Sequence, residues 1–193
     1  ITPSPNFGER REGVRPDLIV LHYTGMPDAA EAVRRLCAPA SEVSAHYVVM
    51  EDGEVIQCVR ETERAWHAGV SSWVGETDVN SRSIGIELAN PGHDWGYPAF
   101  PDRQIAALIS LCRGIMIRRE IPRHRVVAHS DIAPGRKVDP GERFPWARLA
   151  AAGVGIWREP APDMAGLILA FGATGAPEGL ARRNDDWVYA EYA

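Results

Sequence analysis

A chain of 193 residues with 45% hydrophobic content is long enough for one well-buried core and a small appendage. Its formal net charge of -5 argues against a general nucleic-acid or anionic-membrane binder. No apolar run approaches the roughly 18 residues that a membrane span requires, and the scattered Cys37, Cys58 and Cys112 read as reduced core thiols rather than a disulfide framework.

Residues 1–17 are polar and punctuated by Pro3, Pro5, Gly8 and Pro16, which predicts an extended lead-in. LIVLHYT, 18–24, is a continuous apolar run ending in polar residues, the pattern of a buried central strand. Asp28 and Glu31 have capping-box-like spacing, and Ala29, Val33, Leu36 and Cys37 mark the apolar stripe of a helix. HYVVM and EVIQCV flank EDG and predict a β-hairpin. SIGIEL, 83–88, alternates as a strand, with Ile84, Ile86 and Leu88 on one face and Glu87 on the other. Helical spacing of Ile105, Leu108, Ile109, Cys112 and Met116 predicts a helix over 102–119, and RVVAH, 125–129, a last short strand. AHSDIAPGRKVDPG, 128–141, is broken by Pro and Gly and reads as a loop that cannot be helical.

Strands interleaved with helices, plus one hairpin, predict an α/β fold. The expectation is a single domain over 18–157, a central mixed β-sheet flanked by helices, followed by a short tail at 158–193. The patternless stretches 67–82 and 90–101 bracket the Glu87 strand, and loops of that length usually build a binding surface.

His22 and His129 each fall at or next to the C-terminal end of a predicted strand, the edge where functional groups collect in open α/β sheets. With Asp139 they make up the two-imidazole, one-carboxylate set of catalytic zinc sites. The competing reading is that Asp139 only shapes the DPG turn and Lys137 is a solvated charge. Glu87 is either an outward carboxylate on a half-exposed strand or an inward one beside a cavity that uses it as a general base. His46 is a core histidine or a groove residue, and AWHAG places Trp66 and His67 where a ligand would approach closely. Trp73 and Trp95 read as sugar-stacking or core residues, and His93 and His124 as exposed bystanders.

LHYT, SAHYVV, AWHAG, NSRSIGIELAN, AHSDIAPGRKVDPG and FPW, in this order, resemble the zinc-dependent N-acetylmuramoyl-L-alanine amidases of the type 2 amidase family, relatives of the peptidoglycan recognition proteins. The resemblance runs from about residue 14 to 157. It implies an amidase or peptidoglycan-recognition-like fold and one Zn2+ per chain, held by His22, His129 and Asp139. It also implies Glu87 as the residue that activates water, Lys137 at the oxyanion, and His46, Trp66, His67 and Asn80 along the substrate groove. The partners implied are peptidoglycan fragments or muropeptides, with no nucleic acid and no membrane span.

Two positions depart from parts of the family. Ala45 stands where some relatives place a catalytic tyrosine, and Asp139 where others place a cysteine. The tail after Trp157 is too short for the helical wall-binding module of several relatives. The expected reaction is hydrolysis of the amide between the lactyl group of N-acetylmuramic or anhydromuramic acid and L-alanine. The alternatives are a non-catalytic peptidoglycan-binding protein on the same scaffold and a metal-dependent phosphoesterase, the latter favouring more carboxylates. The cysteines point to the cytoplasm, while a chain beginning at Ile1 leaves the periplasm or cell envelope open.

Overall fold

Two six-residue strands with opposite chemistry on their two faces organise the molecule. The computed structural model describes residues 2–158. In chain order its elements are β1 (Phe7–Gly8), β2 (Leu18–Tyr23), α1 (Ala29–Leu36), β3 (Tyr47–Val49), β4 (Val55–Gln57) and β5 (Arg64–Ala65). They continue with α2 (Val79–Arg82), β6 (Ser83–Leu88), α3 (Asp102–Arg119), β7 (Val126–Ala128), α4 (His129–Ile132) and α5 (Trp146–Ala151). The main sheet has the order β4-β3-β6-β2-β7, and β1 pairs with β5 in a separate two-stranded ribbon. Only the β3–β4 hairpin is antiparallel within the main sheet; β3–β6, β6–β2 and β2–β7 are parallel.

Because side chains alternate across a strand, each strand divides its residues between two layers. One face carries Ile19, Leu21, Ile84, Ile86 and Leu88, which pack with Ile105, Leu108, Cys112 and Ile115 of α3 and Leu149 of α5 in the larger core. The other face begins as a smaller core of Leu18, Val20 and Val127 under Trp73, Val79 and Ile132. Farther along the same face, β2 presents His22 and β6 presents Glu87. α1 closes this side through Val33 and Leu36 against Val48 and Cys58. Its start is capped by the Asp28 carboxylate, which accepts from the Glu31 amide at 2.8 Å.

Gln104, fully buried in the first turn of α3, ties that helix to the sheet by donating to Val49 O at 3.0 Å and Ala89 O at 2.9 Å. Val49 O, at the end of β3, also accepts from the Ala89 amide at 2.9 Å, and Gln104 adds the bond to Ala89 O just past the end of β6.

Two expectations need correction. His129 does not end a strand: β7 stops at Ala128, and the segment read as non-helical opens with the single turn α4. The Asp131 carboxylate makes that turn possible by accepting from the Ala128 amide at 2.7 Å, and Pro134 and Gly135 follow it. The 67–82 stretch is not wholly irregular, since α2 occupies its end, with the Asp78 carboxylate accepting from the Ser81 amide. The extended lead-in contributes β1 to a ribbon with β5. The expected tail lies, apart from Arg158, outside the described residues. Among those described, no helix is long and apolar enough to cross a membrane.

Gln104→Leu removes both amide bonds while keeping the volume similar. The expected cost is about 1–3 kcal/mol, read in urea titration as a lower midpoint with an unchanged slope. An unchanged midpoint would show that the Ala89 amide suffices for Val49 O and that Ala89 O finds another partner.

Candidate metal centre and cleft

The parallel register between β2 and β6 sets His22 directly opposite Glu87. Paired residues share a face, so an imidazole and a carboxylate stand side by side at the C-terminal edge of the sheet. From the other neighbour of β2, β7 delivers His129 as the first residue of α4. The chain then loops through Lys137 and returns to α4, where the Ser130 amide donates to Asp139 O at 3.0 Å. Tyr97 holds the next residue by donating its hydroxyl to Pro140 O at 2.6 Å.

These constraints bring three donor atoms together. His22 Nδ1 and His129 Nδ1 are 2.8 Å apart, and Asp139 Oδ2 lies 3.2 Å from the first and 3.0 Å from the second. All three residues are buried, with exposures of 1%, 3% and 6%. Burial, and then the neighbouring His129, depresses the His22 imidazole to about 4, so it stays neutral with a lone pair to offer. Burial works against the Asp139 carboxylate charge, but hydrogen bonds from His129 and His22 outweigh it and hold the group well below the usual carboxylate range. Two imidazole nitrogens and a carboxylate oxygen converging on one point form a donor set able to hold a metal ion.

Glu87 supplies a second sign of an incomplete site. Its Oε2 is buried and has no hydrogen-bond partner among the described residues, a costly state unless something in the cleft meets it. Burial, followed by repulsion from Asp139, raises its carboxyl well above the ordinary value, and Lys137 only partly opposes this. Lys137 and Glu87 both line the cleft of about 420 Å³ that contains the three donors.

The four expected groove residues separate into two pairs. Trp66 and His67 line the cleft. His46 does not: it is fully buried, with Nδ1 accepting from the Gly85 amide at 3.0 Å and Nε2 3.1 Å from Glu63 O. Asn80 also lies away from the cleft lining, and its Oδ1 accepts from the amides of His67 at 3.1 Å and Ala68 at 2.9 Å. Trp73 is a core residue and Trp95 is exposed. His93 is exposed yet bridges Tyr23 Oη and the Glu142 carboxylate, each at 2.9 Å, and stacks on Tyr97. Arg35, Asp94 and Arg136 line the cleft without having been singled out in the sequence. Arg136 lay within a motif, but nothing in its spacing signals that its guanidinium donates to Ala68 O and Val70 O.

Residues 12–142 match the family model described as N-acetylmuramoyl-L-alanine amidase. The chain is 43% identical over 155 residues to N-acetylmuramoyl-L-alanine amidase AmiD of Escherichia coli (strain K12), covering 74% of this chain and 55% of AmiD. It thus spans about half the length of that relative. It is 35% identical over 166 residues to 1,6-anhydro-N-acetylmuramyl-L-alanine amidase AmpD of Citrobacter freundii, covering 77% of this chain and 87% of AmpD. Among solved structures, E. coli AmiD with its substrate anhydro-N-acetylmuramic acid-L-Ala-D-gamma-Glu-L-Lys superposes with a TM-score of 0.67 at 36% identity, covering 86% of this chain and 72% of that one. AmpDh3 of Pseudomonas aeruginosa with anhydromuramic pentapeptide gives 0.70 at 37% identity, covering 86% and 70%.

Protein purified without chelators is expected to carry about one equivalent of divalent metal by elemental analysis, and His129→Ala to lose it. Full metal content in the variant would remove His129 from the donor set.

Proposed function

The chain belongs to the N-acetylmuramoyl-L-alanine amidase family, and from that premise we propose that it hydrolyses the amide between the muramyl lactyl group and L-alanine. Its substrates in this reading are peptidoglycan fragments, and its cofactor is one zinc ion held by His22, His129 and Asp139. The observation that carries the proposal is the pairing of His22 with Glu87 across β2 and β6, which sets a carboxylate oxygen without a hydrogen-bond partner among the described residues beside the three metal donors.

Zinc, when bound, supplies Lewis acidity, polarising a carbonyl and bringing the pKa of a water down to about 7. Glu87 accepts the proton of the attacking water and later returns it to the L-alanine nitrogen as the C–N bond breaks. The water oxygen ends in the lactyl carboxylate and its two protons on the departing amine and in solvent. Burial raises the Glu87 carboxyl above its ordinary value, which favours its holding the proton between the two halves of the transfer. Lys137 stabilises the oxyanion that develops on the lactyl carbonyl. Trp66 provides an apolar wall for the glycopeptide.

The test is mass spectrometry of a purified anhydromuramyl tripeptide incubated with zinc-loaded protein. The expected products are anhydromuramic acid and free tripeptide with L-alanine at its amino terminus. Glu87→Gln should keep its metal and lower kcat by roughly 100-fold or more. No cleavage by the loaded wild-type protein would overturn the proposal, and retention of more than about a tenth of kcat by the variant would remove Glu87 as the base.

Soluble fragments are the preferred substrates in this reading, and the cytoplasm its compartment. The net charge of -5 gives no electrostatic attraction to a largely anionic wall. The free Cys37, Cys58 and Cys112 suit a reducing environment. The two ligands in the similar solved structures are anhydromuramic peptides. At matched scissile-bond concentration, kcat/KM for an anhydromuropeptide should exceed the rate of peptide release from intact sacculi. Equal or faster release from sacculi would assign the enzyme to the envelope.

A further inference from the structure

His67 touches a metal donor, and the direction of its hydrogen bonds can be derived from the geometry. On the proposed metal reading, on which this inference rests, His22 uses Nδ1 as its donor atom, so its proton resides on Nε2. That Nε2 lies 3.0 Å from His67 Nδ1, which must therefore accept. The proton of a neutral His67 is then on Nε2, 3.1 Å from Ser83 Oγ. Ser83 in turn donates to Val79 O at 2.6 Å. Every bond in the series runs the same way and ends on a backbone carbonyl, so a single arrangement of protons satisfies every link.

Gly85 makes room for this arrangement. It lies between Ser83 and Glu87 on the chemical face of β6, and a Cβ there would come within 2.3 Å of the His67 ring. The ring therefore occupies the volume that any other residue at 85 would fill. The backbone of the same segment is held by Asn80 Oδ1, which accepts from the amides of both His67 and Ala68. Ala68 O, one residue on, lies 3.2 Å from His129 Nε2 and accepts the proton of the second imidazole. One short segment thus meets the far nitrogen of both histidine donors.

We propose that His67 is a positioning residue for the metal centre: its Nδ1 accepts from His22 Nε2–H, fixing the tautomer and ring orientation that present His22 Nδ1 to the ion. Asn80 and Gly85 hold His67 in place. This assigns His67, at the wall of the cleft, and Asn80, behind it, to the support of the donors. Outer hydrogen-bond partners of metal-bound histidines commonly contribute ~10–100-fold in metal affinity.

The test measures zinc affinity by competition with a chromophoric chelator for wild type, His67→Leu and His67→Asn, with thermal unfolding of each metal-free protein alongside. Asparagine Oδ1 sits about where histidine Nδ1 does, so it restores an acceptor without an imidazole. His67→Leu is expected to bind zinc ~10–100-fold more weakly than wild type, and His67→Asn to recover most of that loss at a similar apo melting temperature. Equal affinity of wild type and His67→Leu, or equal weakness of both variants, overturns the proposal. Should neither variant fold, long-range 1H–15N correlation of the imidazoles in zinc-loaded wild-type protein decides it alone. The pattern expected is Nε2–H on both His22 and His67, and a proton on His67 Nδ1 refutes it. Failure of wild type to bind zinc would overturn the metal reading as well, whereas tight wild-type binding with negative His67 results strikes only this inference.

Discussion

The parallel register of β2 against β6 is the constraint on which the remaining architecture depends. Pairing His22 with Glu87 places Leu21 beside Ile86 and Val20 beside Gly85 in the same ladder. A slip of one residue in either strand would turn its own His22 or Glu87 into the α3 core and its apolar residues toward the cleft. The hydrophobic face therefore enforces the chemical one. Burying Ile19, Leu21, Ile84, Ile86 and Leu88 under α3 leaves His22 and Glu87 facing the other way, at the edge where the strands end.

The opposite face changes character along its length. Near the start of the strands it is apolar, sealed by Trp73, Val79 and Ile132. On β2 the apolar Leu18 and Val20 give way to His22 at the strand end, while β6 carries Ser83, Gly85 and Glu87 along the whole of this face. Polar groups this deeply placed need partners. Ser83, His67 and His22 supply them to one another in series, and His46 takes the Gly85 amide. Glu87 Oε2 stands outside this network, an unmet requirement in a region otherwise well paired.

Loops complete what the sheet begins. Residues 66–69 are anchored by Asn80 and by Arg136, so the approach to both histidines is held from two distant parts of the chain. The 90–101 stretch turns Tyr97 inward, where it is buried, supports Pro140 and receives the His93 ring. His93, Tyr23 and Glu142 close this rim as a hydrogen-bonded strap. These loops are irregular because each is shaped by individual polar contacts rather than by a repeating backbone ladder.

The sequence by itself determined the periodic parts of this protein. Alternation in SIGIEL, the unbroken LIVLHY run, the EDG turn and the helical stripe from Ile105 onward express local physics, in which burial follows a fixed repeat along the chain. The motif residues His22, Glu87, His129, Lys137 and Asp139 came together as a set through the resemblance to the amidase family, since residue types and spacing alone left structural readings open for Glu87, Lys137 and Asp139. Tertiary structure alone decided their relations. Nothing in the spacing says that β2 lies between β6 and β7, which is what makes residues 22, 87 and 129 neighbours. Nor does it say that His46 faces Gly85, that Asn80 serves the 67–68 backbone, or that His67 rests over a glycine of another strand. Those contacts join residues far apart in sequence, and a hydrogen bond across such a gap leaves no period in the chain from which to read it. His129 is the intermediate case. Its place after a strand followed from pattern, but the helical turn that starts with it depends on the Asp131 carboxylate reaching back to one amide, a single local bond that pattern alone could not weigh against the prolines and glycines around it.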